Sequence, residues 1–176
     1  MQPIDQRRSL PASSSHLDRT RVEILRVVVR SSAARAKPHR DNTFFILKVH
    51  SGSDYNIVEQ SWSAFRTLKV DLLEALDKGH VCHGVCGPLH RHLKRTFDAP
   101  TNVDIATWLR LRLRRHDDAT MQLYLEHFQG LLDALLRLLR QHDVDCVKFL
   151  GLRDVLARFL QFRPTTVLEP HLEMHS

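Results

Sequence analysis

Residues 43–76 read TFFILKVHSGSDYNIVEQSWSAFRTLKVDLLEAL, and the period of their apolar positions changes halfway along. From Thr43 to His50 it is two, with Phe45, Leu47 and Val49 on one face, as in a half-buried strand. Ser51 to Asp54 (SGSD) holds residues that tolerate tight backbone geometry and reads as a turn. Tyr55 to Trp62 then returns as a further strand. From Ser63 the period lengthens to about 3.6. Phe65, Leu68, Leu72 and Leu76 recur at offsets of three and four, so Ser63 to Asp77 is an amphipathic helix, with Ser63 as its N-cap and Gly79 as its stop.

Upstream, Arg21 to Arg30 (RVEILRVVVR) is dense in β-branched residues and supplies the first strand of a three-stranded antiparallel meander. Ser31 to Asn42, polar and broken by Pro38, is the loop between the first two strands. Downstream, a short helix is expected near Leu89 to Arg95. Asp117 to Gln141 is a long helix with Leu125, Phe128, Leu132, Leu135 and Leu139 on one stripe. Gly130 interrupts it at a cost of about 1 kcal/mol relative to alanine. Asp117 and Asp118 stand at its start, where carboxylates favour the positive end of the dipole. A last helix, Asp145 to Phe162, presents Phe149, Leu152, Leu156, Phe159 and Leu160 and is closed by Pro164. Strands followed by helices predict an α+β domain, a three-stranded antiparallel meander packed against a helical subdomain. The expected division is a disordered basic tail over 1–20, one domain over 21–162 and a loose tail over 163–176.

The chain has 176 residues, 43% hydrophobic and 26% charged, which suits one globular domain with its own core. No apolar run approaches the roughly 20 residues that span a bilayer. The first twenty residues carry Arg7 and Arg8 with no apolar core behind them, unlike a secretory signal. Three cysteines, an odd number, argue for a reducing, cytoplasmic setting over a disulfide framework. Residues 1–50 hold ten Lys/Arg against four acids, the whole of the formal +6, whereas 51–176 balance at sixteen of each. Such an excess can assist attachment to an anionic surface. Basic residues are not interleaved with aromatics, so nucleic acid is not an expected partner. The chain contains no phosphate loop, nucleophile elbow or H-E-x-x-H helix, and an enzyme is not expected.

The order of pieces resembles the phox-homology (PX) family, a phosphoinositide-binding module of three strands and a helical subdomain. The likeness covers Arg21 to Phe162 and rests on three stretches: Tyr55 to Leu76 as third strand and first helix, Phe128 to Leu139 as the long helix, and Leu152 to Phe162 as the closing helix. It implies association with phosphoinositide or other anionic membrane lipids, in trafficking or signalling, peripheral on endosomal or other intracellular membranes. The family's strand-to-helix junction carries arginine, an aromatic, two small or polar residues and phenylalanine. Here Ser61, Trp62, Ser63, Ala64 and Phe65 stand there, and a hydroxyl at Ser61 cannot replace a guanidinium that forks onto phosphate. The Phe97 to Pro100 stretch lacks the family's phosphate-binding lysine, and Met121 to Glu126 lacks its arginine. The remaining lipid-binding candidates are Trp62, Arg66, Lys94, Arg95, Arg114 and Arg115, with Trp62 offering an apolar contact to the interface. The alternative is a protein-protein interaction module with a degenerate lipid pocket.

Between Gly79 and Gly87 the chain packs Cys82, Cys86, His80 and His83 into seven residues, with Cys146 at the head of the last helix. Thiolate and imidazole are the ligands of a closed tetrahedral zinc site, and His80, Cys82, Cys86 and Cys146 form a candidate set for structural zinc. The other reading makes the three cysteines small buried hydrophobes.

Overall fold

The computed structural model describes residues 17–30, 42–77, 84–98, 100, 103–112, 117–140 and 146–162. It is α+β. Strands β1 (Thr20–Val29), β2 (Thr43–Ser51) and β3 (Asp54–Ser61) form an antiparallel sheet in the order β1-β2-β3, followed by helices α1 (Trp62–Asp77), α2 (Cys86–Thr96), α3 (Ile105–Arg112), α4 (Asp118–Leu139) and α5 (Val147–Phe159). Among the described residues no helix is long and apolar enough to cross a membrane.

The two-residue period of β2 puts Thr43, Phe45, Leu47 and Val49 into the core, as expected, and sends Phe44, Ile46, Lys48 and His50 to the other face. Gly52 turns the chain between β2 and β3 at φ +66°, a conformation that costs glycine little. A bulge between Ile24 and Arg26 shifts the register of β1 on β2. Val22 and Ile24 before it are buried, and Val27 after it packs against the core opposite Phe45.

On the inner face of the sheet, Phe45, Trp62, Phe65, Tyr124, Phe128 and Phe159 form one aromatic cluster. Phe65 stacks on Phe128 with centroids 4.1 Å apart, and Phe45 meets Phe128 edge-on at 5.2 Å. The cluster joins β2, α1, α4 and α5, so the meander and the helices share a single core. Helix α4 runs unbroken through Gly130 and buries Phe128, Leu132, Leu135 and Leu139, with Leu125 packed at the margin.

Several boundaries and one helix depart from expectation. Leu17 is fully buried and Asp18 faces Arg153, so the ordered core reaches back into the stretch read as tail; Leu17 is an isolated apolar residue, and isolated residues carry no period. Helix α1 starts one residue early because the Oγ of Ser61, not Ser63, accepts from the Ala64 N–H at 3.1 Å. Helix α5 ends at Phe159 rather than Phe162. Gln161 takes φ +51°, and the Gln161 and Phe162 N–H groups return to the Arg158 and Ala157 carbonyls, a Schellman closure. Helix α3 has no counterpart in the sequence reading. Gly79 and residues 163–176, expected to form a loose tail, lie outside the described residues.

The free edge of β1 is covered from the far side of the sequence. The Gln129 side chain accepts from the Ile24 N–H at 2.7 Å and donates to the Val22 carbonyl at 2.9 Å, and Arg140 donates to the Thr20 carbonyl. A single carboxamide thus takes the place of a neighbouring strand at an edge that would otherwise be open. Gln129→Ala leaves a part-buried donor and acceptor unmatched and is expected to cost about 1–3 kcal/mol, measured by urea denaturation. Amide exchange at Ile24 should accelerate more than at Leu47 in the central strand; equal acceleration would assign the loss to the whole sheet.

Candidate functional site

Helix α1 is amphipathic, and the core takes Phe65, Leu68, Leu72 and Leu76. The opposite stripe, Ser63, Arg66, Thr67, Val70 and Leu73, lines an open groove of about 520 Å³ together with Lys69 and Asp98. Asp98 comes from the segment directly after α2, and its carboxylate accepts from the Lys69 ammonium across the groove. Among the described residues Arg66 makes no ion pair, and its side chain is exposed. The groove therefore offers one guanidinium, one ammonium held by a carboxylate, and two hydroxyls beside the apolar side chains of Val70 and Leu73. Such a surface can bind a phosphate or carboxylate attached to an apolar body.

Of the lipid-binding candidates among the described residues, only Arg66 lies in this groove. Trp62 does not face solvent: it is 3% exposed, its indole 4.4 Å from the Tyr124 ring. The expected interfacial contact by Trp62 is therefore corrected to a core role. The residue is the first of α1 and follows the inward-facing Gln60 by two positions, so the sheet's own alternation carries it inward. Lys94 and Arg95 are exposed in the last turn of α2, where cations complement the helix dipole, and neither lines the groove. Arg114 and Arg115 lie outside the described residues, as do Arg7, Arg8, Arg35, Lys37 and Arg40 of the basic N-terminal half. Lys48 sits on the outer face of the sheet, its ammonium 4.5 Å from the Tyr55 ring centroid.

At the strand-to-helix junction the Ser61 hydroxyl is committed to helix capping and to a 2.8 Å contact with the Ser63 hydroxyl. An anion at the groove would be met by α1's own side chains one and two turns further along, not by that junction position.

The sequence reading missed Asp98 and the apolar surface of α3. Ile105, Trp108 and Leu109 are 85%, 48% and 48% exposed, at the i, i+3, i+4 spacing of one helix face. Asp104 starts this helix: its carboxylate accepts from the Thr107 N–H at 2.8 Å and the Thr107 hydroxyl at 2.7 Å. The signal was an aspartate three residues before a threonine, ahead of a short run whose apolar members found no core. The hydrogen bond from the Thr107 backbone, then that from its hydroxyl, hold the Asp104 carboxyl below its ordinary value. Because the folded value is the lower one, the cap is fully made above the ordinary carboxylate range and lost as pH falls through the folded value. Carbon-detected NMR titration should give Asp104 a midpoint below 3.8, with the Thr107 amide resonance moving at the same pH. A midpoint at or above 3.8 would contradict the cap.

Of the four metal candidates, the fold brings Cys86 and Cys146 together, their sulfurs 3.7 Å apart and both thiols buried. His80 and Cys82 lie outside the described residues. Among the described residues no group of three or more His, Cys, Asp or Glu side chains could hold a metal ion.

Comparison with protein-family models, with curated proteins and with solved structures gives no match to this chain.

Proposed function

We propose that this chain is a PX-like binding module that associates with anionic phospholipid, phosphoinositide headgroups among them, through the groove on α1. The observation that carries the reading is the juxtaposition of Arg66, Lys69, Ser63 and Thr67 in one groove immediately after the strand-to-helix junction. A headgroup phosphate would take the Arg66 guanidinium and compete with Asp98 for Lys69. The apolar contact assigned on sequence grounds to Trp62 passes to Trp108, with Ile105 and Leu109 on the same exposed face of α3. Arg110, Arg112, Arg114 and Arg115 follow in sequence, and apolar and basic residues together favour an anionic interface over either alone.

Liposome co-sedimentation with and without phosphoinositide, at low and high salt, tests the proposal. Binding is expected to need anionic lipid and to weaken as salt rises. Arg66→Ala and Lys69→Ala should each lower affinity about 5-fold or more, in line with a lost charge-assisted hydrogen bond. Asp98→Asn, which frees Lys69, should raise it. The pair Arg114→Ala and Arg115→Ala should weaken binding to all anionic vesicles alike. Binding that ignores Arg66 and Lys69 would overturn the groove. Absence of binding to any vesicle would overturn the lipid reading and leave the α3 face as the surface to screen against protein partners.

A further inference from the structure

The charges of the α1 groove form a set of three. Arg66 and Lys69 supply two cations, three positions apart on one helix and therefore neighbours on its surface. Asp98 supplies one anion, its carboxylate accepting from the Lys69 ammonium through Oδ2. The Asp98 side chain is 62% exposed, and among the described residues its second oxygen, Oδ1, takes no hydrogen bond. Lys69 gives Asp98 one of the three donors that an ammonium carries. A simple anion fits this set poorly. A phosphate that approaches Arg66 and Lys69 also approaches the Asp98 carboxylate, and like charges at such range repel. A headgroup that brings its own cation removes the conflict.

We propose that the groove selects a phosphoserine headgroup, a phosphodiester whose serine keeps a free ammonium and a free carboxylate, over other headgroups of the same net charge; the assignment rests on the reading of the groove as a headgroup site. The phosphate takes the Arg66 guanidinium, whose fork suits paired oxygens. The serine ammonium donates to Asp98 Oδ1, and the serine carboxylate accepts from a second Lys69 donor. Charges then alternate around the groove, and the Lys69–Asp98 pair stays intact. Two cations and one anion on the protein meet two anions and one cation on the headgroup. The serine α-carbon holds the ammonium, the carboxylate and the methylene that leads to phosphate. Three simultaneous contacts therefore distinguish its handedness, which a diffuse positive surface does not.

Vesicles of neutral lipid with equal shares of phosphatidyl-L-serine, phosphatidyl-D-serine or phosphatidylglycerol are compared by co-sedimentation at one salt concentration, with the full chain and with Asp98→Asn. Each of the three lipids carries one net negative charge, so the surface potential is matched. The full chain is expected to bind the L-serine lipid about 5-fold or more tightly than the glycerol lipid, in line with a charge-assisted hydrogen bond, and more tightly than the D-serine lipid. Asp98→Asn, an exposed change that should leave the melting temperature in place, brings the serine-to-glycerol ratio to about one, chiefly by raising binding to the glycerol lipid. Arg66→Ala lowers binding to all three alike, because all share the phosphate. Free glycerophospho-L-serine carries the same headgroup: displacement only at large excess over the lipid assigns the site to the bilayer, and displacement at matched concentration assigns it to a soluble diester. Equal binding to serine and glycerol lipids that still needs Arg66 would overturn the headgroup assignment and leave the groove reading standing. A serine preference that survives Asp98→Asn, or that ignores handedness, would overturn the assignment as well, as would failure of the free headgroup to compete at any concentration. Absence of binding to any vesicle would overturn both readings.

Discussion

Replacing Trp62 by alanine is expected to cost about 3–5 kcal/mol of stability, the range for deleting a large buried aromatic, out of the 5–15 kcal/mol that a domain of ordinary size holds in total. The indole fills the space between Phe45, Tyr124 and Phe128, with centroid distances of 5.8, 4.4 and 5.9 Å. Its removal takes contacts from β2 and α4 at once, and three aromatic rings cannot easily collapse into the gap. Urea denaturation would read the loss as a lower midpoint at unchanged slope. The same position separates core from membrane roles. Trp62→Phe leaves Trp108 as the one tryptophan, and vesicles carrying brominated lipid should quench its fluorescence on binding. Trp108→Ala should leave the melting temperature almost unchanged and weaken vesicle binding. If Trp62→Ala were neutral for stability and abolished binding, the assignment of Trp62 to the core would fail.

The second large effect is expected at Arg153. Only 6% exposed, its guanidinium donates to the Leu139 carbonyl through Nε at 2.9 Å and Nη2 at 2.5 Å, and Nη2 lies 3.5 Å from the Asp18 carboxylate. Leu139 is the last residue of α4, so this carbonyl is one of those a helix end leaves without an intrahelical partner. Many buried ion pairs can be exchanged for apolar residues at little cost because both partners leave together. Here the main acceptor is backbone and cannot leave. Arg153→Leu should therefore cost about 2–3 kcal/mol, and Arg153→Lys should recover little of it because an ammonium lacks the fork. Asp18→Asn should cost about 1 kcal/mol or less, since that contact is long and partly solvated. A leucine variant as stable as the parent would show that the carbonyl finds water instead.

The meander and the long amphipathic helices were legible because each buries one face with a regular period. Phe45, Leu47 and Val49 declared β2 in this way, and Phe65, Leu68, Leu72 and Leu76 declared α1. Helix α3 was not legible, since Ile105, Trp108 and Leu109 never reach the core and eight residues are too few for a period to emerge. The groove was half legible. Arg66 was marked by charge, and Ser63, Thr67 and Val70 follow from the stripe opposite the core. Asp98 is placed by the path of α2, which no local pattern encodes. Trp62 was misassigned because a tryptophan at a strand-to-helix junction reads as either surface or core until the direction of the helix is known. The meeting of Cys86 with Cys146 depends on how α2 and α5 both pack on α1 and has no local signature.

The carboxamide of Gln129 that covers β1 also sets an order of events during synthesis. Gln129 lies 105 residues after Ile24, so at about 5–20 residues per second a ribosome needs several seconds or more to deliver it after the strand has been made. Through that interval the hairpins of the meander can form while their first strand keeps unpaired amides on its outer side. Nascent or truncated chains that stop short of α4 should therefore be the species that chaperones hold and that self-associate, and release should coincide with the emergence of α4.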